Sequence, residues 1–185
     1  LLHLVAPMLR LAILRHAEAV PIVEGGDPER PLTSAGRGMA ERMGRYFRNS
    51  DLVPDFVLVS PALRAQETFE GLERGAEWSF KVEFVPALYN ASIEMLTAIV
   101  AEVPAEIEFL LLIGHNPGFA EFANVLAGSG KKAELAKWRD HFSTPCLALI
   151  DFDVKSWPKA MAGNGHLETF LTRAALAKLP AGDQR

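Results

Sequence analysis

Short apolar runs alternate with amphipathic stretches along the 185-residue chain. Leu9 to Leu14, apolar except for Arg10, predicts a buried strand. Thr33 can cap a helix through about Phe47, with Met39, Met43 and Phe47 on one stripe. "DFVLVS" predicts a second buried strand, and Ser60-Pro61 supplies an N-cap and first-turn proline for a helix to about Glu73. "KVEFVPAL" predicts a less buried strand. Ser92 then caps a helix in which Ile93, Leu96, Ile99, Val100 and Val103 share a face. "EIEFLLLIG" is the longest apolar run and suits a central strand covered on both sides. A helix from about Pro117 buries Phe119, Phe122, Ala123 and Leu126 and stops at Gly128. A shorter helical stretch contains Trp138, and "CLALIDF" and "HLETFLT" predict two late, neighbouring strands.

Strands alternating with helices argue an α/β domain with a largely parallel sheet. The chain has the length of one domain with a full core, and no repeat or linker divides residues 1–185. A net charge of −4 leaves no basic field for nucleic acid. Cys146, the single cysteine, cannot form an internal disulfide and reads as a small core residue. The apolar segment before Met8 has no basic leader or small-residue cleavage site, so no signal peptide is read, and Leu1 to Pro7 fits an extension ahead of a start at Met8. With no apolar run long enough to span a bilayer, a cytoplasmic location is expected and no membrane partner.

Three strands end in side chains unsuited to a core. Arg15 and His16 follow the first, Arg64 lies one helical turn beyond the second, and His115 follows the longest. In open α/β sheets, ligands bind outside the carboxyl ends of parallel strands, so these four residues are expected to converge on one edge. The helices after Ser60 and near Pro117 would turn their N-termini, which favour anions, to the same edge. No H-x-x-x-H pair suggests zinc and no P-loop is present, so neither metal nor cofactor is expected. Two guanidinium groups match phosphoryl oxygens, and a neutral imidazole is a competent nucleophile at phosphorus. The set suits transfer of a phosphoryl group to His16 and then to water.

"LRHAEA", "RPLTSAG", "VSPALRAQET" and "LLIGHNPG" together resemble the ordered motifs of the histidine phosphatase superfamily, most of all its small SixA-type phosphohistidine phosphatases. The likeness runs from Leu11 to about Gly128. It implies a three-layer α/β/α sandwich of the phosphoglycerate mutase-like kind, with a mostly parallel central sheet, and a phosphoenzyme mechanism without metal. Position by position, His16 matches the phosphorylated nucleophile, Arg15 and Arg64 the phosphate-binding arginines, and His115 the second histidine. His16 should then donate from its other ring nitrogen to a backbone carbonyl.

Two positions depart from the pattern. Ala17 stands where the superfamily usually has glycine. Larger members carry a proton-donating carboxylate after the third strand, where this chain has Tyr89 and Asn90; Glu18, close to the nucleophile, is the candidate acid. A missing acid favours a leaving group that departs without much help, such as the imidazole of phosphohistidine, whose conjugate acid lies near ~6.5. Only "KVEFVPAL" and one helix fill the span where many relatives insert lids, so an uncovered pocket is expected, open to phosphohistidine on a protein such as a phosphotransfer domain. A small-molecule phosphomonoesterase and a non-catalytic phosphate-binding module stay open as alternatives. His3, His141 and His166 have no motif context, and the C-terminal "TRAALAKLPAGDQR" predicts a short helix that frays.

Overall fold

The computed structural model describes residues 9–130, 134 and 143–180. His3, His141, Trp138 with its helical stretch, the segment before Met8 and the last five residues lie outside the described residues. Seven strands form one sheet: β1 (Leu9–Arg15), β2 (Phe56–Val59), β3 (Val82–Phe84), β4 (Phe109–Gly114), β5 (Ala127–Gly130), β6 (Cys146–Phe152) and β7 (Gly165–Leu171). Their order is β3-β2-β4-β1-β6-β7-β5. β6 is antiparallel to both neighbours, and the other pairings are parallel, so β6 alone runs against the rest.

Period-two alternation sends successive side chains to opposite faces and builds two cores. Leu11, Ile13, Leu110, Leu112 and Ile150 face α3 (Ile93–Ala101), α4 (Gly118–Leu126) and α5 (Trp157–Ala160), where Leu96, Phe119, Phe122 and Trp157 are buried. Ala12, Leu14, Val57, Val59, Leu111 and Ile113 face α1 (Ser34–Asn49), α2 (Leu63–Ala76) and α6 (Arg173–Lys178), which contribute Met43, Phe47, Phe69, Leu72 and Leu176. The result is the expected three-layer α/β/α sandwich. Cys146 is fully buried and burial pushes its thiol up.

Thr33 and Ser92 cap α1 and α3 through their side-chain oxygens, as their positions predict. Four boundaries differ. α2 begins at Leu63 with Ala62 at the cap, and the Ser60 hydroxyl both bonds a histidine and accepts the Ala62 N–H at 3.4 Å. β3 stops at Phe84, and Pro86–Leu88 forms a 3-10 turn, since Pro86 has no N–H for the ladder. α3 closes at Ala101, leaving Val103 to bury itself from the following loop. α4 ends at Leu126, and "AGSG" pairs beside β7 as β5, a strand with no apolar alternation to announce it.

At the end of the sheet where β1 begins, Arg10 clasps Asp151 through two hydrogen bonds of 2.6 and 2.7 Å. On the α1/α2 face the two helices approach to backbone contact. A Cβ on Gly75 would stand 1.9 Å from the Glu41 carbonyl oxygen, and one on Gly44 2.1 Å from that of Leu72. Gly75→Ala should therefore push the helices apart and cost about 1–3 kcal/mol, the range for overpacked sites. A urea melt with an unchanged midpoint would contradict that reading.

Candidate active site

Backbone register brings the reactive residues together. Arg15 pairs with Gly114, and Val59 with Ile113, so β1, β4 and β2 end level with one another. The His16 N–H donates to the Gly114 carbonyl at 3.0 Å and the Ser60 N–H to that of Ile113 at 2.9 Å, extending both ladders one residue past the strands. His16 and His115 thereby become neighbours, their ring centroids 5.2 Å apart. α2 and α4 both start from this edge.

The His16 Nδ1–H donates to its neighbour's carbonyl, Ala17 O, at 2.6 Å. That leaves Nε2 as the lone-pair nitrogen, and it accepts from Arg64 Nε at 3.2 Å. The Ala17 N–H donates to Thr68 Oγ1 at 2.9 Å, and the Thr68 hydroxyl donates to the Arg64 carbonyl at 2.6 Å. One buried threonine thus ties the loop after β1 to the helix that carries Arg64. Across the pocket, His115 Nε2 and Ser60 Oγ share a 2.6 Å hydrogen bond. His115 Nδ1 is buried with no hydrogen-bond partner among the described residues.

These groups are deeply set: His16 is 8% exposed, Arg64 4% and His115 5%. Burial first, and the nearby arginines after it, push the imidazole of His16 down to about 4. Burial, with His16 and Arg64 adding to it, pushes His115 down to about 3. Both rings are neutral at physiological pH, and His16 keeps the lone pair on Nε2. Burial also pushes the Arg15 guanidinium below its ordinary value.

Arg15, His16, Arg64 and His115 all line one cavity of about 580 Å³, which Asp27, Arg30, Tyr89 and Asn90 also border. Glu18 borders it too, but its carboxylate is turned to the Thr33 hydroxyl at 2.8 Å and to Arg173. The hydrogen bonds from Arg173 and then Thr33 hold Glu18 below the usual carboxylate range. A carboxylate held ionised in this way is a poor proton donor, unlike the acid expected at Glu18.

Another carboxylate stands in the pocket. Asp27 Oδ2 accepts from Arg64 Nη2 at 2.9 Å and from the Tyr89 hydroxyl at 2.6 Å, and Oδ1 accepts from Arg30 Nη1 at 2.7 Å. The Asp27 carbonyl also accepts from Arg64 Nη1 at 2.7 Å. Tyr89 and Arg30, with Arg64 behind them, drive Asp27 well below the usual carboxylate range, while Tyr89 rises in turn through its bond to Asp27.

The sequence profile of the histidine phosphatase superfamily (branch 1) matches residues 11–108, just over half of the chain. The chain belongs to that superfamily. This histidine phosphatase is 26% identical over 166 residues to an uncharacterized chloroplastic protein of Arabidopsis thaliana, covering 84% of its own length and 72% of the other's. Its fold is similar to that of SixA from Agrobacterium tumefaciens, with a TM-score of 0.74 and 26% identity over 89% of this chain and 97% of that one. It is similar also to a protein histidine phosphatase SixA complexed with tungstate, with a TM-score of 0.74 and 24% identity over 91% and 99% of the two chains.

The four basic residues that line the cavity were readable from strand ends. Ser60, Thr68 and Asp27 were not. Ser60 looked like a helix cap and Thr68 like a helix-interior residue. The one local hint for Asp27 is the "DPER" spacing, which puts an arginine three residues on, as the ion pair requires. The displaced histidine titrations have a measurable consequence. Unfolded imidazoles take up protons near ~6.5, whereas folded His16 and His115 do so only near 4 and 3. Between those values the unfolded chain binds more protons, so stability should fall as pH drops from about 6.5 toward 4. Proton NMR should find both rings still neutral at pH 5, and a ring titrating near 6.5 would remove the argument.

Proposed function

We propose that this histidine phosphatase removes phosphoryl groups from phosphohistidine displayed on a protein, through a phospho-His16 intermediate and without a metal ion. The observation that carries the reading is the state of His16. Its Nδ1–H is committed to Ala17 O, so Nε2 faces Arg64 as a nucleophile. In the first step the Nε2 lone pair forms the new N–P bond, and the bond from phosphorus to the leaving group breaks. In the second, water forms a P–O bond, the pair of the N–P bond returns to Nε2, and inorganic phosphate departs.

Charge on the phosphoryl oxygens is met by Arg15 and Arg64, which line the cavity with His115. Among the described residues, no group of three or more His, Cys, Asp or Glu is arranged to hold a metal ion. The tungstate carried by the SixA relative is a tetrahedral oxyanion of the kind this pocket suits. The protein-borne substrate is favoured by the rim. Asp27 and Asn90 are exposed, and between α2 and β4 the chain adds only β3, one 3-10 turn and α3.

His16→Ala should abolish turnover. Quenching the wild type during turnover should trap an acid-labile, base-stable phosphoryl group on His16. Arg64→Ala should lose about 2–4 kcal/mol of transition-state stabilisation, roughly 30- to 10³-fold in kcat. A phosphohistidine-bearing phosphotransfer domain should be hydrolysed in preference to a panel of sugar and nucleotide esters. A strong preference for one ester, with no action on the phosphoramidate, would give the site to a small-molecule phosphomonoesterase.

A further inference from the structure

We propose that Asp27 is a catalytic residue specific to phosphoramidate cleavage, its carboxylate accepting the N–H of the departing imidazole's far ring nitrogen while the P–N bond breaks. This rests on the phosphohistidine reading above.

The chemistry of the leaving group sets the requirement. In phosphohistidine one ring nitrogen bears phosphorus. If the far nitrogen is unprotonated, the bonding pair must leave on an imidazolate, a strong base. If it carries a proton, the same pair leaves on a neutral imidazole. Assistance is therefore needed at the far nitrogen, and the useful group is an anion that stabilises a proton already there, not an acid that delivers one. The enzyme's own histidine is handled in this way, since the His16 Nδ1–H rests on Ala17 O. During transfer both imidazoles need their far proton held, one on each side of the phosphorus.

Asp27 meets that requirement on four counts. Arg64 reaches His16 Nε2 with Nε and Asp27 Oδ2 with Nη2, so one guanidinium spans from the attacking nitrogen to the carboxylate. The Asp27 side chain is 46% exposed and borders the cavity, where a protein-borne ring arrives from outside. A carboxylate offers about four acceptor positions. Arg64 and Tyr89 take two on Oδ2 and Arg30 takes one on Oδ1, so among the described residues an acceptor position is left on Oδ1. Tyr89, Arg30 and Arg64 keep the group ionised, which disqualifies it as an acid for an ester oxygen and suits it to a cationic ring. The Tyr89 phenol, from the loop before α3, donates to this carboxylate and fixes its orientation.

The step balances without a further reactant. The His16 lone pair forms the N–P bond, the substrate's P–N pair returns to its ring as a lone pair, and the far proton stays on that ring, which departs neutral. Asp27 is ionised before and after.

The test compares wild type with Asp27→Asn on N-phosphoimidazole, phosphohistidine peptide and p-nitrophenyl phosphate, whose leaving oxygen needs no proton. The variant is expected to lose about 100-fold in kcat on both phosphoramidates, the lower end of acid–base assistance, and at least tenfold more than it loses on the ester. The alkaline fall of kcat on phosphohistidine peptide, which follows loss of the far proton, should move about one pH unit lower in the variant. Ester turnover by the same preparation reports an assembled site. Equal losses on all three substrates with an unmoved alkaline limb would mean that Asp27 only positions Arg64 and Arg30, and the proposal falls. A wild type that cleaves the ester and neither phosphoramidate would remove the phosphohistidine reading itself, an outcome distinct from the first.

Discussion

The level endings of β2, β4 and β1 govern the chemistry of this protein. Ladder hydrogen bonds match Arg15 to Gly114 and Val59 to Ile113. From that match it follows that His16 adjoins His115 and that Ser60 reaches His115. A slip of one residue in any of the three strands would turn its buried side chains to the wrong face and carry its reactive residue away from the others. The apolar runs "LAIL", "FVLV" and "FLLLI" thus act at a distance. Their packing in two cores is what makes slippage expensive.

Burial then sets the electrical state of the site. Taking two imidazoles out of water beside arginines favours their neutral forms, the forms that can attack phosphorus or share a proton. The arginines themselves stay useful because other groups hold them in place. Asp27 accepts from Arg64 twice, through its carboxylate and its backbone carbonyl, and Arg30 is divided between Asp27 and the Val20 carbonyl. A cationic cradle open to solvent is in this way kept ordered by a single acidic residue on its rim.

Strand positions, the caps at Thr33 and Ser92 and the four basic residues were legible in the sequence, because apolar continuity and interruptions of it are local signals. What escaped was decided by distance along the chain. Ser60 carries the marks of a helix cap, yet its hydroxyl goes to a residue 55 positions away. Asp27 meets Tyr89 across 62 positions, and nothing in "GGDPER" points to such a partner. Glu18 shows the same effect of distance: it lies close to His16 in sequence, and Arg173, 155 residues on, holds its carboxylate. β5 was invisible because "AGSG" has no large apolar side chains to pattern, and it is held to β7 by backbone pairing and the Ser129 hydroxyl.

The bond from the Ala17 amide to Thr68 has a consequence for how this enzyme can fail. Thr68 sits one turn beyond Arg64 on α2, and Glu67 beside it accepts the Leu32 amide at 2.5 Å. If the opening turns of α2 fray, the attacking ring and its guanidinium partner are released in the same event. Intermediate forms with one of the two in place and the other adrift are therefore disfavoured. The exchange rate of one sheltered amide proton, that of Ala17, becomes a gauge of what fraction of molecules is competent at any moment.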